Sequence, residues 1–421
     1  MQTAQQQSII AALDIGTNKI TVAVGEADGQ DALSVLGFGK VSAYGVHAGS
    51  VQDVEMLVDS IRKAVDEAEQ MAGCRITSVT AALTGKHLHS INKVGRLVLP
   101  EGEVDNNAVK RATRLAMTFD AKTDAKSEDD RLVSHVIKGY TIDNDDDNLL
   151  EDPVGMAGNV LQAHAHLAVG SDSVVLNLVK CIRRAGLDVE GLVLQPWASA
   201  AGTLTPTERE LGVIMLDIGA GAVDVACYEN GRISYTAVVP YGGDLITRDI
   251  ASGLNCSIAA ADEIKLTYGH IGVRREDAYE TIRYTFEPTG EEKTVTNERV
   301  VEIITARCEE MLIAIGKHWL AQDRWFEKAA AGIVMTGGVT NLPGFLELAQ
   351  SIYHLPVRQG LPAAQKGAAL SLAAPEDSTV IGVLLETLRR RRLSGTELRR
   401  HGRWDAFTGA LKRIVFGDFS G

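Results

Sequence analysis

Two short acidic turns in the sequence contain the residue types that bind phosphate groups. Asp14-Ile-Gly-Thr-Asn-Lys and Asp217-Ile-Gly-Ala-Gly each follow a run of apolar residues. Glycine permits close approach of the backbone, and the exposed N–H groups of such a turn can surround phosphate oxygens. The two carboxylates suit a Mg²⁺ ion held through water, because Mg²⁺ keeps most of its hydration shell. Thr17, Asn18 and Lys19 add a hydroxyl, an amide and an ammonium group on the phosphate side.

The two turns belong to a pattern that repeats after about 200 residues. In residues 9–26 and again in residues 213–229, an apolar strand, the acidic turn and a second, alternating strand follow one another. Helical patterns follow over residues 52–72 and 299–320. A lone Asp-x-Gly turn usually only ends a strand. Two at equivalent positions predict two similarly folded halves, each a sheet with flanking helices.

Composition limits the class of protein. The 421 residues predict two or three folding units, and the net charge of −13 disfavours nucleic-acid binding, which needs a basic surface. The five scattered cysteines include no CxxC pair, which favours a reducing compartment over a disulfide framework or a zinc site. The first ten residues do not have the pattern of a signal peptide, and no run reaches the roughly 18 apolar residues of a spanning helix. A cytoplasmic protein is expected.

The carboxyl-terminal segment is basic, in contrast to the rest of the chain. Residues 389–413 contain nine Lys or Arg and two acids, a charge of +7 that leaves −20 elsewhere. A helix over residues 403–416 would place on one stripe the apolar side chains of Trp404, Phe407, Leu411, Ile414 and Val415. Such a helix could dock on the protein's own core. The basic linker and the aromatic anchors favour instead the membrane interface, where anionic lipid attracts basic residues.

A third turn completes a recognisable set. Gly337 and Gly338 follow an apolar strand, and such a turn can press its backbone against a flat base or sugar, although alone it would more often begin a helix. In this order and spacing the motifs resemble the actin-like ATPase superfamily, and within it most closely the FtsA family of bacterial cell division proteins. The matching segments are the phosphate motifs, the adenosine motif, the two connecting helices, the inserted subdomain and a long run in the second half: residues 13–24, 214–225, 334–344, 195–202, 375–385, 132–169 and 208–269. Small residues at Ser378 and Gly382 would let the two connecting helices cross closely.

The resemblance implies a role for each motif residue. Contacts to the β- and γ-phosphates of ATP are implied for Gly16, Thr17, Asn18, Lys19, Gly219, Ala220 and Gly221. Contacts to the adenosine are implied for Asp262, Lys265, Gly337 and Gly338. The implied catalytic set is Gln195, which would orient the attacking water, with Asp14 and Asp217, which would also hold Mg²⁺ through water.

The resemblance also implies an architecture. The expected fold class is α/β, the actin-like (ribonuclease H-like) two-domain fold with a nucleotide cleft, an inserted α+β subdomain of SHS2 type and a carboxyl-terminal amphipathic helix. The expected parts are subdomain 1A (1–85 and 166–197), inserted subdomain 1C (86–165), subdomain 2A (198–240 and 300–375), subdomain 2B (241–299), a connecting helix returning to 1A (376–392), a linker (393–402) and the amphipathic helix (403–418).

The implied function is an ATP-binding division protein with at most slow ATPase activity, which polymerises on the cytoplasmic face of the cell inner membrane at the septum. It would anchor filaments of the tubulin-like protein FtsZ, bind anionic lipid and recruit other divisome proteins. Subdomain 2B would receive the carboxyl-terminal peptide of FtsZ, with Lys293 and Arg299 as candidate contacts. Two alternatives are a metabolic kinase of the same superfamily, for which no sugar-pocket motif is found, and a pilus-assembly scaffold of the PilM type, which shares the insertion but lacks an amphipathic tail.

Overall fold

The computed structural model describes most of the chain. The described residues are 9–27, 33–100, 102–143, 149–321, 324–363, 366–367 and 371–400. They form two halves, each a sheet with helices packed against it.

The first half alternates strands with covering helices. Its elements are β1 (Ile9–Ile15), β2 (Lys19–Ala27), β3 (Leu33–Ser42), β4 (Val46–His47), β5 (Ser50–Val51), α1 (Val54–Ala72), β6 (Ser78–Leu83), β7 (His89–Val98), α2 (Asn106–Ala116), β8 (Asp130–Ile142), β9 (Val160–Ser171), α3 (Asp172–Arg184), β10 (Asp188–Leu194) and α4 (Gln195–Thr203). Helix α1 buries an apolar face at 3.6-residue spacing against β3 and is ended by Gly73 in the left-handed conformation.

The second half repeats the order of strand, turn and strand. Its elements are α5 (Pro206–Leu211), β11 (Val213–Ile218), β12 (Val223–Glu229), β13 (Arg232–Val239), α6 (Gly243–Leu254), α7 (Ile258–Tyr268), β14 (Thr281–Phe286), β15 (Glu291–Thr296), α8 (Asn297–Ile315), α9 (Trp325–Lys328), β16 (Ile333–Thr336), α10 (Phe345–Tyr353) and β17 (Val357–Gln359). The chain then returns to the first half. There β18 (Lys366–Gly367) pairs parallel with β3, and α11 (Ser378–Arg400) packs against β1, β2 and β6.

Equivalent strands occupy equivalent places in the two sheets. Strand β1 pairs antiparallel with β2 and parallel with β6, and β11 pairs antiparallel with β12 and parallel with β16. Asp14 and Asp217 therefore lie near the carboxyl ends of corresponding strands. The predicted repeat of two similar halves is confirmed.

The insertion in the first half extends the sheet of the second half. Strands β7, β9 and β8 follow β13, so that one sheet has the order β17-β16-β11-β12-β13-β7-β9-β8. The backbone register joins only Ala237 of β13 to His89 of β7. Side chains reinforce this seam: the Ser90 hydroxyl donates to the Thr236 carbonyl at 2.7 Å, and the Asn92 amide donates to the Ser234 carbonyl at 2.9 Å.

The two connecting helices, α4 and α11, cross with almost no space between their backbones. A Cβ atom on Gly382 would lie 1.7 Å from the Ala198 carbonyl oxygen, and one on Gly202 would lie 2.4 Å from the Ser378 carbonyl oxygen. The predicted close crossing at Ser378 and Gly382 is confirmed. It fixes the start of α11 against α4, and both helices contribute side chains to the candidate site.

Helix α11 ends later in the chain than the sequence predicted. The helix continues to Arg400, whereas the sequence predicted a linker over residues 393–402 after a helix ending at residue 392. Its arginines are engaged by the first half: the Arg391 guanidinium bonds both Glu190 carboxylate oxygens at 2.9 and 2.8 Å, and Arg390 donates to the Leu192 carbonyl at 3.1 Å. Part of the basic segment is therefore paired within the fold.

Among the helices that the structure describes, none combines the length and apolar character needed to cross a bilayer.

Candidate nucleotide site

Two buried aspartates, one from each half, lie close enough for their charges to interact. Asp14 is 5% exposed and Asp217 is 4% exposed, each at the end of its strand. Burial raises the pKa of Asp14 to about 7, and the charges of Asp217 and Asp377 add to this rise while Lys19 opposes it. The Asp14 Oδ1 atom has no hydrogen-bond partner among the described residues. A buried carboxylate with an unpaired oxygen is suited to a cation or its bound water.

Asp217 is held in place by both connecting helices. Its Oδ2 atom accepts from the Ser199 hydroxyl at 2.6 Å and from the Thr379 hydroxyl at 3.0 Å. The Gln195 amide donates to the same oxygen at 3.4 Å. The sequence-predicted pair Gln195 and Asp217 is thus brought together, whereas Ser199 and Thr379 were not predicted as site residues.

Asp224 is a third carboxylate that sequence reasoning missed. It lies on β12 directly across from Asp217, is 1% exposed, and accepts from the Thr84 hydroxyl at 2.7 Å. Burial raises its pKa well above the usual value, and the charges of Asp217 and Asp14 add to the effect. The sequence contained a signal for this residue. An aspartate within the apolar run Val223–Glu229 must be buried, and its charge must then be compensated or neutralised.

The two acidic turns touch each other. Each is closed by a backbone bond, from Gly16 N to the Lys19 carbonyl at 2.9 Å and from Gly219 N to the Ala222 carbonyl at 3.0 Å. A Cβ atom on Gly221 would lie 2.5 Å from the Thr17 hydroxyl oxygen, so a side chain there would collide with the opposite turn.

The remaining predicted phosphate residues are found in the same two turns. Asn18 is exposed at the tip of the first turn. The Ala220 carbonyl accepts from Asp244 N at 2.9 Å, which joins the second turn to the start of α6.

The Lys19 ammonium group points toward the start of α11. It donates to the Glu376 carbonyl at 2.7 Å and to Asp377 Oδ1 at 3.0 Å. Burial lowers the pKa of Lys19, and the carboxylates of Asp377 and Asp14 work against that change. Sequence reasoning gave no role to Glu376 or Asp377, because only the tertiary fold brings them to the first turn.

The predicted adenosine residues occupy two places. Gly337 follows β16 with a φ of +87°, and a Cβ atom there would lie 2.5 Å from Asp217 Oδ1, so only glycine fits this turn. A Cβ atom on neighbouring Gly338 would lie 4.0 Å from the Glu376 Cβ. Asp262 and Lys265 lie on α7, where the Lys265 ammonium donates to Asp262 Oδ1 at 2.6 Å.

The predicted peptide-binding residues lie on separate elements of the second half. Lys293 is on β15 with its ammonium 3.3 Å from the centre of the Phe286 ring. Arg299 is in the first turn of α8 and is paired with Glu302 at 2.9 Å, both side chains being exposed. The predicted membrane-binding residues, Trp404, Phe407, Leu411, Ile414 and Val415, lie outside the described residues.

His166 corrects one sequence interpretation. The motif His164-Ala-His166 predicted a satisfied surface pair, but His166, on β9, is fully buried beside the seam between β7 and β13. Its Nδ1 donates to Asn92 Oδ1 at 2.9 Å, and its Nε2 accepts from the Thr236 hydroxyl at 3.0 Å. Burial, with the charge of Lys138, lowers its pKa to about 3, so the ring is neutral and structural. The surface expectation failed because residues distant in the chain enclose the ring: Asn92 on β7, Thr236 on β13 and Trp197 on α4, whose ring centre lies 6.0 Å away.

Family models match two segments of the chain. The model described as "Cell division protein FtsA" matches residues 214–382, and the model described as "SHS2 domain inserted in FTSA" matches residues 85–169. The second span overlaps the insertion predicted at residues 86–165. A curated FtsA of Neisseria meningitidis serogroup B is 36% identical over 383 residues, which cover 90% of each chain.

Solved structures show the same fold at low identity. A chain of the PilM–PilN type IV pilus biogenesis complex superposes with a TM-score of 0.64 at 16% identity, covering 90% of this chain and 98% of the other. MreB 5 of Spiroplasma citri bound to AMPPNP superposes with a TM-score of 0.53 at 12% identity, covering 92% of this chain and 99% of the other. These values support the fold alone. The chain has the actin-like α/β fold with an inserted SHS2 subdomain, and by its identity to a near full-length relative it belongs to the FtsA family of cell division proteins.

Proposed function

We propose that the chain binds Mg·ATP in the cleft between the two acidic turns. The observation that carries this proposal is the meeting of buried Asp14 and Asp217 at equivalent strand ends, with Asp14 Oδ1 left unpaired. A Mg²⁺ ion held through water would supply the positive charge that these carboxylates lack and would bind the phosphate oxygens. The MreB 5 neighbour, whose structure contains AMPPNP, supports a nucleotide as the ligand.

Different residues of the cleft would contact different parts of the nucleotide. The backbone N–H groups at Gly16, Thr17, Gly219, Ala220 and Gly221 would surround the β- and γ-phosphates, with Asn18 and Lys19 adding donors. Gly337 and Gly338 would lie along the adenosine, and Asp262 and Lys265 would reach the ribose and base. Gln195, whose amide donates to Asp217 Oδ2 at 3.4 Å, would orient a water molecule toward the γ-phosphate and so support slow hydrolysis.

The cellular proposal follows from family membership. The chain polymerises on the cytoplasmic membrane through actin-like contacts, acts there as a peripheral protein at the septum, tethers FtsZ and helps recruit the division machinery. The subdomain boundaries given above for 1A, 1C, 2A and 2B remain part of this proposal. The alternative of a metabolic kinase has no observation in its favour here.

The membrane proposal needs one revision from the structure. Arg389 and Arg390 pair with Glu386, and Arg391 pairs with Glu190, so the charges of these arginines are partly compensated within the fold. The attraction to anionic lipid should then come mainly from basic residues farther along the segment: Arg399, Arg400, Arg403, Lys412 and Arg413.

Asp217→Asn tests nucleotide binding. The substitution removes the charge but keeps the size of a buried side chain, so Mg·ATP affinity should fall at least tenfold, or about 1.4 kcal/mol. Calorimetric titration measures it. Asp59→Asn is the matched control, because Asp59 is exposed and pairs with Lys63 on the surface of α1. Equal affinity in wild type and Asp217→Asn, with both folded, would contradict the two-turn site.

Arg299→Glu tests the partner surface. The FtsZ carboxyl-terminal peptide is mixed acidic and apolar, so reversing the charge at Arg299 should weaken binding several-fold and alter its dependence on salt. Arg324→Glu is a close control, since Arg324 is also exposed and paired with a glutamate three residues on. Fluorescence anisotropy of a labelled peptide measures both. If the two variants bind alike, subdomain 2B is not the receiving surface.

A further inference from the structure

Two lysines converge on one buried carboxylate at the start of α11. Asp377 is 1% exposed, and its Oδ1 atom accepts from the ammonium groups of Lys19 at 3.0 Å and Lys40 at 2.9 Å. Its Oδ2 atom is buried without a hydrogen-bond partner among the described residues. The charge of Asp377 therefore depends on these two lysines.

The neighbouring residue ties the same lysines to the adenosine turn. The Glu376 carbonyl accepts from Lys19, its Oε1 atom lies 3.4 Å from the Lys40 ammonium, and its Oε2 atom accepts from the Asn341 amide at 3.0 Å. Lys40 projects from β3 in the first half, and Asn341 ends the turn that begins at Gly337. The cluster of Lys19, Lys40, Glu376 and Asp377 thus lies beside both the phosphate and the adenosine parts of the proposed cleft.

Two groups compete for the Lys19 ammonium: the Asp377 carboxylate and the phosphate chain of the proposed nucleotide. To bind a phosphate chain in the cleft, its ammonium group must move away from Asp377. Leaving a buried carboxylate without a cation is strongly unfavourable, because burial removes the water that would otherwise solvate the charge. With Lys40 in place, Asp377 keeps one ion pair after Lys19 leaves. Without Lys40, the same movement would leave the buried Asp377 carboxylate without a cation.

We propose that Lys40 is a positioning residue for nucleotide binding: it holds the charge of Asp377 so that Lys19 can be released to the phosphates. This inference rests on the proposed nucleotide site and adds a residue that the acidic-turn motifs do not contain. In this arrangement Lys40 lowers the cost of breaking the Lys19–Asp377 ion pair.

The inference is tested by charge removal and rescue. Lys40→Met should lower the affinity for Mg·ATP about tenfold in calorimetric titration, since Lys19 then becomes the sole cation of Asp377. In the double variant Lys40→Met/Asp377→Asn the neutral amide no longer retains Lys19, so affinity should return to within about threefold of wild type. Lys40→Arg keeps the positive charge and should bind nearly as wild type does.

Lys63→Met is the control, because Lys63 also pairs with an aspartate but on the exposed surface of α1. Thermal unfolding without nucleotide verifies that each variant is folded. Unchanged affinity in Lys40→Met overturns the inference, and so does a loss that the second substitution fails to restore, since Lys40 would then act by direct contact or through the fold. A wild-type chain that binds no Mg·ATP overturns the proposed function itself, which separates the two failures.

Discussion

Removal of residues 402–421 is expected to release the protein from vesicles that contain anionic lipid. Burying the five apolar side chains of the tail stripe contributes on the order of 1.5–3 kcal/mol each before ordering costs. Folding the helix and fixing side chains cancel much of this gain. Each basic residue near the surface adds about 1 kcal/mol. A net of about 4 kcal/mol corresponds to roughly a thousandfold change in partition.

Vesicle flotation measures this effect. The full chain is compared with the Trp404→Glu variant, with neutral vesicles and with filaments, and Mg·ATP binding serves as a control for the fold. Trp404→Glu should reproduce most of the loss, and vesicles of neutral lipid should bind the full chain weakly. The truncated chain should bind Mg·ATP as the full chain does, which shows that the cleft is intact. Filaments that present many tails should bind more tightly than single chains, through avidity. Retention of the truncated chain on anionic vesicles would show that the anchor lies elsewhere.

Replacement of Asp14 by asparagine is expected to raise the stability of the nucleotide-free protein at pH 8. Asp14 has a pKa of about 7 in the folded protein and 3.8 as its ordinary value, so the folded state holds its proton over that interval. A raised pKa of an acid means that stability is lost as the pH rises from about 4 to 7. Asparagine does not titrate, so the expected gain in the free energy of unfolding at pH 8 is about 4 kcal/mol.

The pH dependence separates this effect from other causes. The charges of Lys19, Asp217 and Asp377 act on Asp14, and Asp14 in turn acts on the buried Asp224. Of these groups, Lys19 favours the charged form of Asp14. The difference in unfolding temperature between Asp14→Asn and wild type should be large at pH 8 and small near pH 4, in buffer with a chelator. Asp59→Asn should show no such trend. A variant less stable than wild type at pH 8 would mean that Lys19 compensates Asp14 fully.

The sequence was sufficient for the parts of the site that are local in the chain. Each acidic turn joins two strands that pair with each other, so strand period, turn residues and carboxylate lie within one short segment. The repeat then predicted that Asp14 and Asp217 occupy equivalent strand ends. The small residues Ser378 and Gly382 similarly predicted a close helix crossing, because only a residue without a bulky side chain permits it.

Contacts between distant segments could not be predicted in the same way. Lys40 and Asp377 are 337 residues apart in the chain. A lysine near the end of a strand usually faces water, so nothing in the sequence indicated that Lys40 would pair with a buried carboxylate. The burial of His166 depends on a strand from the other half. The sequence predicted that α11 ends at residue 392, whereas the helix continues to Arg400. The pairing of Arg390 and Arg391 with the first half could not be predicted either, because their partners lie about 200 residues earlier in the chain.

The seam between β7 and β13 has a consequence for the order of synthesis. Strand β7 is complete long before β13 leaves the ribosome, because α2, β8, β9, α3, β10 and the start of the second half are made between them. At about 5–20 residues per second, the β7 edge stays unpaired for several seconds or longer. An open strand edge is a template for pairing with another chain. The nascent insertion therefore carries an aggregation hazard at the part of this edge that holds Ser90 and Asn92, and the hazard ends when β13 docks there.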